Sequence, residues 1–137
     1  MLIDDGSDIR VFRLEADGEP ISTPDDASDL VGAAWSHQAN LVVVPVERLD
    51  PEFFRLSTGI AGEIAQKLVN YRLRLAVVGD ISEHVAESNA LRDFVWESNH
   101  GDQIWFMADE QALAERLALR AARSAGTGDR SQRSSGR

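Results

Sequence analysis

Three short, almost entirely apolar runs constrain the fold of this chain more than any other feature of its sequence. They read LVVVPV at residues 41–46, LAVV at residues 75–78 and IWFM at Ile104–Met107. Successive side chains of a strand point to opposite sides of the sheet, so a strand that is apolar throughout must be covered on both faces. Segments with helical periodicity separate the runs, and strands that alternate with helices predict a parallel sheet.

The segment before these runs predicts an antiparallel addition to the sheet. IRVFRL at residues 9–14 alternates apolar and charged side chains, as a half-buried strand does. Asp17-Gly18 follows as a turn signal, and residues 19–22 can form a short partner strand. The predicted fold class is therefore α/β, with a mixed, mostly parallel sheet of about five strands and helices packed on it.

Proline marks the beginning of two helical segments. Thr23 is a candidate cap for a helix whose first turn contains Pro24, and Asp50 precedes Pro51 in the same arrangement. Gly62 falls inside a predicted helix, where glycine is unfavourable. Close packing of that helix against the sheet is the simplest structural explanation for this glycine.

The charge of the chain is unevenly distributed. Its formal net charge is −9, but residues 1–115 carry −14 and residues 116–137 carry +5. An acidic domain repels the phosphates of nucleic acids, so we do not expect the folded part to bind them. Residues 124–137 combine serine, glycine and arginine without an apolar anchor. This composition predicts a disordered basic tail after a single domain at residues 1–123.

The cellular compartment is inferred from residues that are missing. No cysteine occurs in the 137 residues, so neither disulfides nor thiolate metal sites can form, which favours a reducing cytoplasm. The amino-terminal residues are acidic and lack the apolar segment of a signal peptide. No apolar run approaches the length needed to cross a bilayer. We therefore expect a cytoplasmic protein without a membrane segment.

The stretch LSTGIAGEI places two hydroxyls and a glycine at the entrance of a helix. Free backbone amides and the helix dipole favour an anion at that position. Ser57, Thr58 and Gly59 are therefore a candidate anion-binding or phosphoacceptor site. The alternative is structural, with Ser57 as the cap of the helix. The lysine and glycine spacing of nucleotide-binding loops is absent.

A second candidate set follows the apolar run at residues 75–78. Asp80, Ser82 and His84 stand just beyond the carboxyl end of a predicted strand, which is where open α/β sheets bind ligands. They indicate a binding surface or, together with Ser57, the crevice of a small-molecule-binding protein or a hydrolase. The histidines and carboxylates lack metal-ligand spacing, and we expect neither a metal nor a cofactor.

Two longer stretches carry a resemblance to a known family. FFRLSTGIAGEIAQKLVNYRLRLAVVGD at residues 53–80 and LRDFVWESNHG at residues 91–101 resemble the bacterial family called domain of unknown function 4180. The resemblance covers most of residues 9–117. It implies a family name and no known activity.

A more distant resemblance concerns the order of elements and the motif Ser57-Thr58-Gly59-Ile60. Both are similar to the STAS domain, the fold of anti-sigma-factor antagonists. In that family a partner kinase phosphorylates the first serine of an Asp-Ser-Ser/Thr-Gly-Leu motif, which releases the antagonist from its target. The resemblance implies a STAS-like fold with Ser57 as the phosphoacceptor, although Leu56 stands where the family has aspartate.

A regulatory or protein-interaction module is the function that these observations favour, because no complete catalytic set is present. We expect a protein partner to bind around Ser57, Thr58 and the Asp80–His84 loop. A homo-oligomer is a further expectation, and exposure of Trp96 and Trp105 would support it.

Overall fold

The computed structural model describes residues 9–122, in which four parallel strands form one sheet. The strands are β1 (Val11–Arg13), β2 (Leu41–Pro45), β3 (Arg74–Val78) and β4 (Ile104–Met107). They lie side by side in the order in which they occur in the sequence, and each neighbouring pair is parallel. Each of the three apolar runs therefore forms a strand, as predicted.

Helices connect the strands. They are α1 (Pro24–Ser36), α2 (Ile60–Asn70), α3 (Ser82–Glu87), α4 (Asn89–His100) and α5 (residues 110–122). Between β2 and α2 the chain makes three short 3-10 turns, at Val46–Arg48, Pro51–Phe54 and Leu56–Thr58.

The alternation of strand side chains explains why the strands are apolar throughout. One face of the sheet packs against α1, α2 and α4 through Val42, Val44, Leu75, Val77, Ile104 and Phe106. The intervening residues face α5 on the other side: Leu41, Val43, Ala76, Val78 and Trp105. Each of the three longer strands thus buries both of its faces, as the sequence predicts.

The predicted antiparallel hairpin is wrong, and so is the count of about five strands. Ile21 forms an isolated parallel bridge with Leu49 instead of a strand antiparallel to β1. The Arg48 guanidinium donates to the carbonyls of Glu15 and Glu19, each at 2.9 Å. These bonds connect residues 15 and 19 to the turn that follows β2. Within residues 9–122 the sheet is therefore parallel and four-stranded, not mixed.

The two helical starts marked by proline are confirmed. Thr23 Oγ1 accepts from the Asp26 N–H at 3.3 Å, and the Asp26 carboxylate accepts from the Thr23 N–H at 3.0 Å. These reciprocal bonds cap α1. Asp50 Oδ1 accepts from the Glu52 N–H at 2.9 Å and so caps the turn Pro51–Phe54. Both caps use amides that a helix leaves without an internal acceptor.

Arginine side chains connect α5 to the sheet through ion pairs and a contact with an aromatic ring. Asp102 lies just before β4, and its Oδ2 accepts from Arg74 Nη2 of β3 at 2.9 Å. Arg120 of α5 forms an ion pair with the same carboxylate. One turn earlier in α5, the Arg116 guanidinium carbon lies 4.5 Å from the centroid of the Trp105 ring. These contacts join the end of α5 to β3, β4 and the turn between α4 and β4.

Trp105 is buried, with 1% of its surface exposed, whereas Trp96 is 62% exposed. Only one of the two tryptophans whose exposure would support an oligomer is therefore at the surface. Trp105 has the largest of the buried side chains that face α5. Its Nε1–H donates to the Gly101 carbonyl at 3.1 Å. The indole therefore belongs to the core, and its N–H has a hydrogen-bond acceptor.

A side chain occupies the outer edge of β4 at Phe106. The Phe106 N–H donates to Asn99 Oδ1 at 2.7 Å, and the Phe106 carbonyl accepts from Asn99 Nδ2 at 3.3 Å. Asn99 belongs to α4, so this helix supplies the two hydrogen bonds that a further strand would make to Phe106.

In residues 9–122, no helix is both long and apolar enough to cross a bilayer. The same residues hold no group of three or more histidine and acidic side chains placed to bind a metal ion. The predicted tail at residues 124–137 lies outside the described part of the chain.

Candidate functional site

The segments that follow β2 and β3 enclose a groove of about 440 Å³, called here the Ser57 groove. It is lined by Pro51, Phe54, Arg55, Leu56, Ser57, His84, Glu87, Ser88 and Ala90. Two of the residues singled out from the sequence, Ser57 and His84, therefore lie in one groove although they are 27 positions apart in the chain.

The floor of the Ser57 groove is a stacked pair of rings. The His84 imidazole lies 4.3 Å from the Phe54 ring, centroid to centroid, at an interplanar angle of 13°. Phe54 is 4% exposed and packs edge-on against Phe53, with a centroid distance of 5.2 Å. The cap at Asp50 fixes the turn that carries both phenylalanines. The histidine thus rests on a rigid apolar support.

The Thr58 hydroxyl forms hydrogen bonds that stabilise the turn before α2. Its Oγ1 lies 2.8 Å from the Arg55 carbonyl and 3.1 Å from the Glu52 carbonyl, and it accepts from the Ile60 N–H at 3.2 Å. A modification of this hydroxyl would break the local structure that leads into α2. Thr58 is therefore a structural residue of the turn that precedes α2.

The Ser57 hydroxyl, by contrast, has no hydrogen-bond partner within residues 9–122, and the side chain is exposed. The interpretation of Ser57 as the cap of α2 is therefore wrong, because the N-cap position belongs to Gly59. Neighbouring charges are mixed. Arg55 Nη1 lies 3.2 Å from Glu52 Oε2 in an exposed ion pair, and Glu87 lies on the opposite wall of the groove.

Gly59 adopts the left-handed conformation, with φ of 80° and ψ of −3°. A Cβ built on this residue would have no heavy atom within 4 Å. The glycine is thus needed for its backbone angle and not for space. Gly62 is also free of neighbours within 4 Å of a Cβ, so the predicted close packing of Gly62 against the sheet is wrong.

These two glycines give a matched prediction. Gly59→Ala is expected to lower the free energy of unfolding by about 1 kcal/mol, because a side chain makes the left-handed conformation costly. Gly62→Ala is expected to raise it by about 0.5–1 kcal/mol, because alanine favours an exposed helix interior. Urea denaturation of both variants checks the pair. A loss of stability in Gly62→Ala would show that this glycine has a packing role after all.

Asp80 and Ser82 do not line the Ser57 groove. Asp80 Oδ1 accepts from the Ser82 N–H at 2.9 Å, and this bond, with a further one from the Ser82 hydroxyl, lowers the pKa of the exposed Asp80 carboxyl. The pair therefore forms the entrance turn of α3. Only two of the four residues assigned to a hydrolase crevice share a groove, and no hydrogen bond joins Ser57 to His84 as a nucleophile–base pair requires.

The strand order also argues against a ligand-binding crevice at the strand ends. Ligands of open α/β sheets bind where the strand order reverses, because adjacent connections there leave for opposite faces. The four described strands follow one another without a reversal, and α1, α2 and α4 pack on the same face. The groove lies instead between the second and third 3-10 turns after β2 and the helices α3 and α4. Phe54 and Arg55 were not predicted to belong to the site; the DPEFF turn next to Ser57 was the available signal.

A parallel α/β domain with an exposed hydroxyl in a groove beyond its strand ends is the class of protein defined by this geometry. Comparison with protein families gives a match to the family described as Domain of unknown function (DUF4180), over residues 6–117. The match spans most of the chain, so the chain belongs to this family. No curated protein and no solved structure matches it.

Proposed function

We propose that this protein is a non-catalytic regulatory module. It binds a protein partner through the Ser57 groove, and phosphorylation of Ser57 controls that binding. The observation that carries the proposal is the exposed Ser57 hydroxyl, which has no partner within the described residues although it sits at the rim of a groove with an apolar floor. Polar and charged side chains make up most of the lining around the Phe54 ring, which suits the recognition of a polar segment of a partner.

The charges around Ser57 support a phosphoryl group at this position. Arg55 is two residues away and its side chain is 68% exposed, so it can leave its surface ion pair with Glu52 at little cost. A phosphoryl group adds almost two negative charges and three strong acceptors. Charge-assisted hydrogen bonds to Arg55 would hold it, while its charge would change what the groove accepts.

The STAS-like relationship belongs to the same proposal. Its support is the Ser57-Thr58-Gly59-Ile60 motif at the entrance of α2, which follows a buried strand of a sheet with helices on both faces. In this interpretation a kinase modifies Ser57 and a partner is released, as the resemblance implies. The aspartate of the STAS motif has no counterpart here, and Arg55 is the nearest charged residue along the chain.

Phosphopeptide mapping of the protein purified from its native host, across residues 49–72, tests the proposal. The expected result is a phosphoryl group on Ser57 and none on Thr58, because the Thr58 hydroxyl is engaged in the turn. Ser82 is the matched control, since it is also an exposed serine at a helix entrance, but the Asp80 carboxylate beside it repels a phosphoryl group.

The proposal is wrong if the chain is unmodified in growing and in stressed cells, or if Thr58 carries the phosphoryl group. A partner obtained by co-purification gives the second part of the test. Ser57→Glu should weaken its binding by about tenfold or more, while Ser57→Ala should leave it nearly unchanged.

A further inference from the structure

Trp96 is exposed in the middle of α4, on a part of the surface that does not border the Ser57 groove. Its side chain is 62% exposed, and its ring is stacked on the His100 ring at a centroid distance of 3.9 Å. His100 is itself held, because its Nδ1 lies 2.7 Å from the Trp96 carbonyl. The indole is therefore fixed in place with one face covered and the other available, which is the arrangement of an interface anchor.

Trp96 lies on one of two consecutive helices that carry more acidic than basic residues. Helices α3 and α4 carry four exposed carboxylates and one arginine: Glu83, Glu87, Asp93, Glu97 and Arg92. None of these five side chains forms an ion pair within residues 9–122. Asp93 and Glu97 lie three positions before and one position after the indole. The Trp96 face, defined as Asp93, Trp96, Glu97 and His100, thus combines an aromatic anchor with two exposed carboxylates that have no ion-pair partner among the described residues, although Arg92 lies one turn before the indole.

We propose that the Trp96 face binds an arginine- or lysine-bearing segment of a partner protein. A guanidinium placed on the open face of the indole would make a cation–π contact, and the two carboxylates would pair with it or with a neighbouring cation. The domain already contains such a contact, since Arg116 lies 4.5 Å from the centroid of Trp105. Like charge disfavours nucleic acid and anionic membrane at the same surface.

The acidic field extends beyond the face itself. With a formal net charge of −9, the whole chain attracts a cationic segment over distances comparable with the Debye length. That attraction alone would not favour one site. Trp96 supplies the local anchor, and Arg92, one turn before Trp96, is the one group on α3 and α4 that opposes a cation.

Binding of a fluorescein-labelled nona-arginine peptide to the full chain, followed by fluorescence anisotropy at low and at physiological salt, tests this proposal. Trp96→Ala is expected to weaken binding by about fivefold. Trp35→Ala is the matched control, because Trp35 is 60% exposed on another helix and its replacement should leave the affinity unchanged. Arg92→Ala should strengthen binding by about twofold to threefold.

A charge-matched pair separates the Trp96 face from general attraction. Asp93→Asn/Glu97→Gln should weaken binding at low salt by about tenfold, and Asp25→Asn/Asp29→Asn, which removes two exposed carboxylates from α1, should weaken it far less. Equal effects of the two double variants, or equal effects of Trp96→Ala and Trp35→Ala, would overturn the proposal. So would an affinity that none of these substitutions changes.

Discussion

Gly79→Ala is expected to lower the free energy of unfolding by about 3 kcal/mol. Gly79 follows β3 directly and has φ of 141°, a conformation that residues with a side chain rarely adopt. A Cβ at this position would lie 2.7 Å from Val46 Cγ2 and 2.9 Å from Val46 Cβ. The Gly79 N–H also donates to the Met107 carbonyl at 2.9 Å, so the backbone cannot move away without losing a bond to β4.

The strain has two sources, the backbone angle and the overlap with Val46, and both are absent at Gly62. Urea denaturation should therefore show opposite effects for Gly79→Ala and Gly62→Ala. The second variant controls for the general consequence of adding a methyl group. A change of less than about 1 kcal/mol in Gly79→Ala would mean that the turn after β3 adapts freely to a side chain.

Asp102→Asn is expected to lower the free energy of unfolding by about 2 kcal/mol at neutral pH. The carboxylate accepts charge-assisted hydrogen bonds from Arg74 and Arg120, whose side chains are only 20% and 23% exposed. The variant would leave two largely buried cations without an anion. Because Asp102 itself is 46% exposed, water screens part of this interaction, and the expected loss is smaller than for a fully buried pair.

The same contacts make the stability depend on pH. Burial acts to raise the pKa of Asp102, but the hydrogen bonds and charges of Arg74 and Arg120 prevail, so the folded-state pKa lies below the ordinary value of 3.8. A lowered pKa means that the carboxylate stabilises the fold above the unfolded-state pKa and that this contribution disappears as the pH falls through the folded-state pKa. The difference between the wild type and Asp102→Asn should therefore be constant near neutrality and shrink below about pH 4.

Glu110→Gln is the matched control for Asp102→Asn. Glu110 also pairs with an arginine, Arg13, at 3.1 Å, but both side chains are more than half exposed. Its replacement should cost less than about 0.5 kcal/mol. If the two variants lose equal stability, the partial burial of Arg74 and Arg120 has no energetic importance.

Continuous apolar runs and capping residues made most of the fold predictable from the sequence. These signals depend only on neighbouring residues, so β2, β3, β4 and the caps at Thr23 and Asp50 agree with the prediction. The prediction of an antiparallel hairpin was wrong, because the loop that forms instead is hydrogen-bonded to a side chain that is distant in the sequence. Arg48 reaches back to the carbonyls of Glu15 and Glu19, and no local pattern indicates that contact.

The candidate site was predictable in part for the same reason. Ser57 and His84 follow strands that neighbour each other in a parallel sheet, so their approach could be expected from the strand order. The different roles of Ser57 and Thr58 could not be expected from the sequence. They depend on which hydroxyl reaches the carbonyls of Glu52 and Arg55. The stacking of His84 on Phe54 likewise results from the path of the 3-10 turns.

The carboxamide of Asn99 has a consequence for how copies of this domain meet one another. At Phe106 it imitates the peptide group of a fifth strand, and an incoming chain would have to displace it before it extended the sheet beyond β4. A partner on this side of the molecule would therefore have to contact side chains, and not the backbone of Phe106. Asn99 thus takes the place of a neighbouring strand at Phe106, which disfavours extension of the sheet at this residue.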